Sequence, residues 1–190
     1  MKEYSHNGKI FFEGEYLNGE RNGKIKEYMN GVLFFQGEYL HDKRNGKGKE
    51  FDSNKIFEGE YFNDERNGRG KEYYSDGKLI FEGEYLNGER WTGKYKDYYI
   101  DYTLKFEGEY LKGKIWNGKG FDKDNNISFE INEGQGLVKE YSNKDILQFE
   151  GEYVNGERNG EGKEYNLFGG LRFEGEYLNG KRNGKGKEYD

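Results

Sequence analysis

Residues 173–189 read FEGEYLNGKRNGKGKEY. The string FEGEY, or a close relative, recurs along the whole chain, with its Phe at Phe12, Phe35, Phe57, Phe81, Phe106, Phe129, Phe149 and Phe173. A second string, NGKGKEY, follows each first one. It ends at Tyr28, Phe51, Tyr73, Tyr98, Tyr141, Tyr165 and Tyr189, with a shortened copy ending near Phe121. Each half has aromatic ends and alternating character, which is a strand signal. The joints are turn chemistry. Asn18-Gly19, Asn87-Gly88, Asn155-Gly156 and Asn179-Gly180 sit between the two strands of a unit, and Asn30-Gly31 and Asp76-Gly77 between units. Such pairs tolerate the positive φ of tight hairpin turns. The repeat therefore predicts an all-β chain, a row of about eight β-hairpins whose neighbours pair into one antiparallel meander.

Composition agrees with a thin core. The 190 residues include 31 Gly, 18 Tyr and 14 Phe, no Pro, no Cys and no Ala. Hydrophobic residues make up 32%, against roughly 45–50% apolar in ordinary domains. The formal charge is only −6 although 36% of residues are charged. The absence of Cys excludes a disulfide scaffold and a thiolate zinc site, and two His residues argue against a His-based metal cluster. No apolar run approaches the roughly 18 residues of a membrane span, and the start MKEYSHNGKIFFEGE lacks the apolar region of a signal peptide, so a cytoplasmic location is expected.

Charge proposes the register. If paired residues of the first hairpin sum to 39, Glu13 faces Lys26 and Glu15 faces Lys24 on one side of the sheet. Phe12, Gly14, Tyr16, Gly23 and Ile25 then share the other side, where glycines leave room for aromatic rings to lie flat. Tyr28 falls on the charged side in this register, unless a bulge in the second strand moves it.

FEGEYLNGKRNGKGKEY resembles the MORN repeat, whose usual pattern is aromatic-x-Gly-x-aromatic, then Asn-Gly, then Gly-x-Gly. The longer ending, KEYY followed by a DG or NG turn, is similar to the second MORN variant found in many bacterial proteins. The resemblance covers nearly the whole chain, and Gly14, Gly37, Gly59, Gly83, Gly108, Gly151 and Gly175 keep its first-strand glycine. It implies an elongated, curved, single-layer β array and a non-catalytic scaffold for protein partners, often at cytoskeletal or membrane-associated sites. It also implies two further classes, a phospholipid-binding module and a bacterial antitoxin-like neutraliser.

No catalytic constellation stands out. His6 and His41 lie in or near turns, and no Ser sits in a G-x-S-x-G elbow. GKGK recurs inside a strand rather than before a helix, a poor phosphate cradle. The chain is read as a non-enzyme without a cofactor. DKDNNISFEINE mimics a calcium loop through Asp122, Asp124, Asn126 and Glu133. Ile127, however, stands where that loop needs Gly, and the stretch aligns with an ordinary inter-repeat turn.

The irregular middle supplies the candidate site. The interval from the first-strand Phe to a second-strand Gly lengthens to 12 for Phe81 to Gly93 and Phe106 to Gly118, and these units carry the only Trp residues, Trp91 and Trp116. Their loops are expected on one edge, with the two indoles near each other. With Tyr95, Tyr98, Tyr99 and Tyr102 they form either a partner-binding patch, Trp91, Tyr95, Tyr99 and Trp116 foremost, or a local plug of the thin core. The degenerate unit at 129–141 is expected to bend the array. The expected partner is a protein: a peptide, a helix or another copy. MKEYS at the start and GKGKEYD at the end leave sheet edges uncovered, a route to homo-oligomers. Each Lys is answered by a Glu, so lipid is a weaker expectation, and the negative net charge argues against nucleic acid.

Overall fold

The computed structural model describes residues 1–142 and 144–189, and among these there is no helix. The chain divides into two compact units, residues 1–91 and 92–190. The first holds β1 (Lys2–Tyr4), β2 (Ile10–Leu17), β3 (Glu20–Met29), β4 (Val32–Leu40), β5 (Lys43–Phe51), β6 (Lys55–Phe62), β7 (Glu65–Tyr74) and β8 (Leu79–Leu86), and the boundary falls within β9 (Glu89–Tyr98). The second continues with β10 (Leu104–Leu111), β11 (Lys114–Phe121), β12 (Ile127–Ile131), β13 (Gly136–Tyr141), β14 (Leu147–Val154), β15 (Glu157–Tyr165), β16 (Leu171–Leu178) and β17 (Lys181–Glu188). In each unit the strands pair antiparallel in chain order, as the repeat predicts.

The turns within each repeat unit are two-residue turns with positive φ at both positions, as at Asn18 (53°) and Gly19 (88°). Most turns between units are longer, Asp76-Gly77 lying in the four-residue link 75–78 with positive φ at Gly77 alone. Two of the turns within units place Asp rather than Gly second, Asp42 and Asp64. Their carboxylates accept the backbone N–H of Arg21 and Arg44 on the preceding hairpin, each at 2.8 Å. That bond offsets the strain of a side chain in the left-handed region.

The proposed register holds through Phe12↔Glu27, Glu13↔Lys26 and Gly14↔Ile25, then breaks. Tyr16 pairs with Arg21, so Glu15 faces the bulged segment Asn22–Lys24 instead of pairing squarely with Lys24. The equivalent bulges in β5 and β7 centre on Gly46 (φ 96°) and Gly68 (φ 93°). There the opposing carboxylates turn inward: Glu38 accepts the Lys47 backbone N–H at 3.1 Å and Glu60 that of Arg69 at 2.9 Å. The Asn-Gly of RNGKG is thus a bulge signal, and a side chain at Gly46 would collide with the Glu38 carboxylate. Tyr28 does lie on the charged side, where its hydroxyl donates to Glu13 at 3.1 Å. Tyr165 and Tyr189 repeat the bond to Glu150 and Glu174, each at 2.6 Å.

The opposite face carries the core. Phe12, Phe35, Phe57, Phe81 and Phe149 are fully or almost fully buried. Phe57 lies over the facing pair Gly59 and Gly70, and the Tyr85 ring of the next hairpin closes edge-on at 5.0 Å and 80°. Phe35 with Tyr61 (5.3 Å, 87°) and Phe149 with Tyr177 (5.3 Å, 83°) repeat the motif. Edge-to-face pairs of this kind add about 0.5–1.5 kcal/mol beyond burial, which helps a core one ring thick.

In the second unit the ladder stops between β12 and β13, which are joined by the single bridge Asn132↔Gln135 at the Glu133-Gly134 turn. The degenerate repeat therefore ends one sheet and begins the next.

Candidate functional site

A polar ladder covers the ring column. In each regular hairpin an Arg nine residues after the Phe lies on that ring: Arg21 on Phe12 at 4.0 Å, Arg44 on Phe35 at 4.2 Å, Arg66 on Phe57 at 4.3 Å, Arg158 on Phe149 at 4.1 Å and Arg182 on Phe173 at 4.1 Å. Each such Arg from the second full hairpin onward also bridges two Glu residues. Arg66 donates to Glu50 of the preceding hairpin at 2.8 Å and to Glu72 of its own at 3.2 Å, and Arg158 likewise joins Glu140 and Glu164. The Tyr of the next hairpin donates to the same Glu: Tyr61 to Glu50 at 2.9 Å, Tyr85 to Glu72 at 2.7 Å and Tyr153 to Glu140 at 2.7 Å. The Tyr177 hydroxyl is buried in the equivalent place, beside Glu164 and Arg182.

Burial alone would raise the Glu72 pKa, but Arg90, Tyr85 and Arg66 around it hold the carboxyl below its ordinary value. For Tyr61 and Tyr85, burial together with the adjacent carboxylate pushes the phenol well above its usual range. The most buried ionisable groups are therefore tied up in hairpin-to-hairpin bonding. The sequence shows the Arg, Glu and Tyr of this ladder in every regular copy, but their meeting was missed because they come from three different strands.

The ladder lapses in two adjacent units, where Ile115 and Val138 stand nine residues after Phe106 and Phe129. Phe106 pairs with Gly120 where regular copies pair Phe with Glu, and Tyr110 pairs with Ile115 where they pair Tyr with Arg. At Phe106 cation and carboxylate are both replaced, so neither is left as a poorly compensated charge. Phe106, Ile131 and Val138 form an apolar cluster there, with Tyr95, Ile115, Phe129 and Tyr153 against it.

The predicted aromatic site falls on this stretch. Trp91 ends the first unit in β9 and is about one-third exposed. Its neighbours in the sequence prediction belong to the second unit, where they are engaged separately. Tyr95 occupies the place of a floor glycine, opposite Gly108, with its ring against Phe106 at 5.9 Å and Tyr110 at 5.4 Å. Tyr99 is only 2% exposed, and its hydroxyl donates to the Phe121 carbonyl at 2.9 Å, so it offers no ring to a partner. Trp116 lies against Gly134, whose N–H donates to the Trp116 carbonyl at 2.7 Å. The irregularities are not longer loops, since Asn87-Gly88 and Lys112-Gly113 remain two-residue turns. Gly118 faces Gly108 and so stands for the floor glycine rather than the bulge glycine, which leaves that unit a residue short, not long.

The calcium-like stretch is a turn. Asp122 accepts the Asn126 backbone N–H at 2.8 Å, the first cause of its lowered pKa, and Glu133 sits in the next hairpin turn. Among the described residues no group of three or more His, Cys, Asp or Glu is placed to hold a metal ion.

What remains open is the charged face. In β13–β17 a groove of about 840 Å³ crosses the strands. Its floor is the row Gly151, Gly162 and Gly175 to Gly186, and one wall is the alternating row Lys139, Glu150, Lys163, Glu174 and Lys187. The other wall includes Leu137, Glu161 and Glu176, with Glu161 directly opposite Glu176. The arrangement can receive an extended or helical segment through paired charges.

The family profile of the MORN repeat matches five segments, residues 12–24, 35–55, 57–78, 149–165 and 173–190. These units are MORN repeats. The longest stretch outside the matches, 79–148, contains both Trp residues and the lapse in the Arg–Glu ladder. No curated protein matches the chain. MORN repeats are a non-catalytic repeat type that commonly serves as a scaffold for protein or membrane interactions.

Proposed function

We propose that this MORN-repeat chain is a non-enzymatic scaffold that binds protein segments on its charged face. One observation carries the proposal: in the second unit the Arg158, Glu140 and Tyr153 groups are bonded hairpin to hairpin in the ladder, while the opposite face of the same strands opens a glycine-floored groove of about 840 Å³ between exposed and half-buried Glu and Lys side chains. Near-balanced charge in the groove favours a partner with its own mixed charges over an anionic membrane, which rewards clustered cations.

Affinity purification of the full chain from its native cell, compared with the charge-swapped variant Lys163→Glu/Glu174→Lys, tests this. A protein partner recovered by the wild type and lost by the variant is the expected result. An unchanged partner set removes the groove. Salt-sensitive flotation with phosphoinositide vesicles and no protein partner overturns the scaffold in favour of lipid. Sedimentation at high concentration separates a second copy of the chain from a foreign partner.

A further inference from the structure

We propose that the hairpin-tip edge of the first unit docks a basic amphipathic helix of a partner protein, one apolar side chain per repeat. This rests on the scaffold reading and adds to it a second surface and a partner chemistry.

Each first strand ends in an apolar residue just before its turn: Leu17, Leu40, Phe62 and Leu86, exposed by 57, 45, 57 and 39%. Each follows the core Tyr, so it stands on the opposite face from the rings and contributes nothing to the ring column. Across the turn Leu17 meets Glu20, Leu40 meets Lys43 and Phe62 meets Glu65, none of which buries it. A single exposed Leu is ordinary, but an apolar side chain at the same place in four consecutive repeats makes a continuous stripe.

The stripe is held in line. The Asp42 N–H donates to the Arg21 carbonyl and the Asp64 N–H to the Arg44 carbonyl, each at 3.0 Å, and the Gly88 N–H donates to the Arg66 carbonyl at 2.9 Å. Each turn is thus tied to the hairpin before it, and the apolar residues are spaced by two strands, about 9.5 Å. Helical residues seven apart rise about 10.5 Å, so a helix laid across the strands meets one repeat per heptad, and a modest tilt absorbs the difference. A row already fixed in position loses little further freedom on binding.

Charge selects among apolar partners. The same edge carries Glu20, Asp42, Asp64, Glu65 and Glu89, all exposed, against Lys43 and His41, whose ring bonds Glu20 at 2.7 Å. A helix with Lys or Arg beside its apolar stripe is attracted, and an anionic lipid surface is repelled.

The test uses the full chain and a labelled synthetic peptide of four heptads with one Leu per heptad flanked by Lys, followed by fluorescence anisotropy. Binding should weaken roughly tenfold or more in Leu40→Ser/Phe62→Ser, and in Leu17→Ser/Leu86→Ser as an independent pair, with circular dichroism unchanged because all four residues are exposed. Added salt should weaken it further. Undiminished binding by both variants, or equal binding of a peptide of the same composition with its Leu residues scrambled, overturns the proposal. A wild-type chain that recovers a cellular protein partner yet binds no peptide overturns the edge alone. A chain that recovers no protein partner overturns the scaffold reading beneath it as well.

Discussion

A methyl group added at Gly59 would lie 2.6 Å from Phe57 Cζ, 2.7 Å from the Arg69 carbonyl oxygen and 2.7 Å from Gly70 Cα. Two of those neighbours are backbone, so the strands themselves must separate. Gly59→Ala should therefore cost about 2–3 kcal/mol in denaturant unfolding. Gly19→Ala meets nothing within 4 Å and suffers only from its φ of 88°, so about 1 kcal/mol is expected at that turn. A reversed order would deny the glycine floor its steric role. Glu72 makes the second prediction at this scale. Its pKa is held below the unfolded value of about 4.3, so its contribution is present in full above that pH and is lost as pH falls through the lower folded value. Glu72→Gln should flatten the acid limb of the stability curve, measured as denaturation midpoint against pH.

Between elements, the phenols act in the opposite sense. Tyr39, Tyr61 and Tyr85 are raised by burial and by the neighbouring carboxylate, and Tyr165 is pushed up to about 12 by burial and Glu150. A raised phenol stabilises the fold fully below the unfolded value of about 10, and that stability is lost as pH rises through the folded value. Phenolate absorbance and loss of β-sheet signal should thus rise together on the alkaline side, above pH ~10. Phenols titrating freely while the fold persists would show that the Tyr–Glu bonds do not hold the hairpins. At the turns, Asp64→Ala keeps the strained φ of 73° but loses the bond to the Arg44 N–H, at a cost of about 1–2 kcal/mol. Asp64→Gly relieves the strain and should fall between that variant and the wild type, read from thermal unfolding.

At the scale of the whole molecule, contacts within each unit run between consecutive strands, the arrangement in which stability is approximately a sum of neighbour terms. Gly59→Ala should raise hydrogen exchange most in β5–β8 and leave β14–β17 near their wild-type protection. A uniform rise through the chain would mean a cooperativity that neighbour contacts do not supply.

The sequence by itself determined the strands, the two-residue turns and the face on which the rings lie. These follow from side-chain alternation and from residues that tolerate positive φ, both local properties. It also pointed, through the altered Phe-to-Gly intervals, the two Trp residues and the degenerate unit at 129–141, to the stretch where the pattern fails. Only the tertiary structure decided that RNG is a bulge, that Glu38 turns onto a backbone N–H, and that Arg66 joins carboxylates of two hairpins above the Phe57 ring. Tyr99 shows the same limit, since nothing in YKDYYIDY says which of its rings will be buried. A bulge, a bridging cation and a buried hydroxyl each depend on what the facing strand presents, and that partner is set by folding rather than by neighbours in the chain.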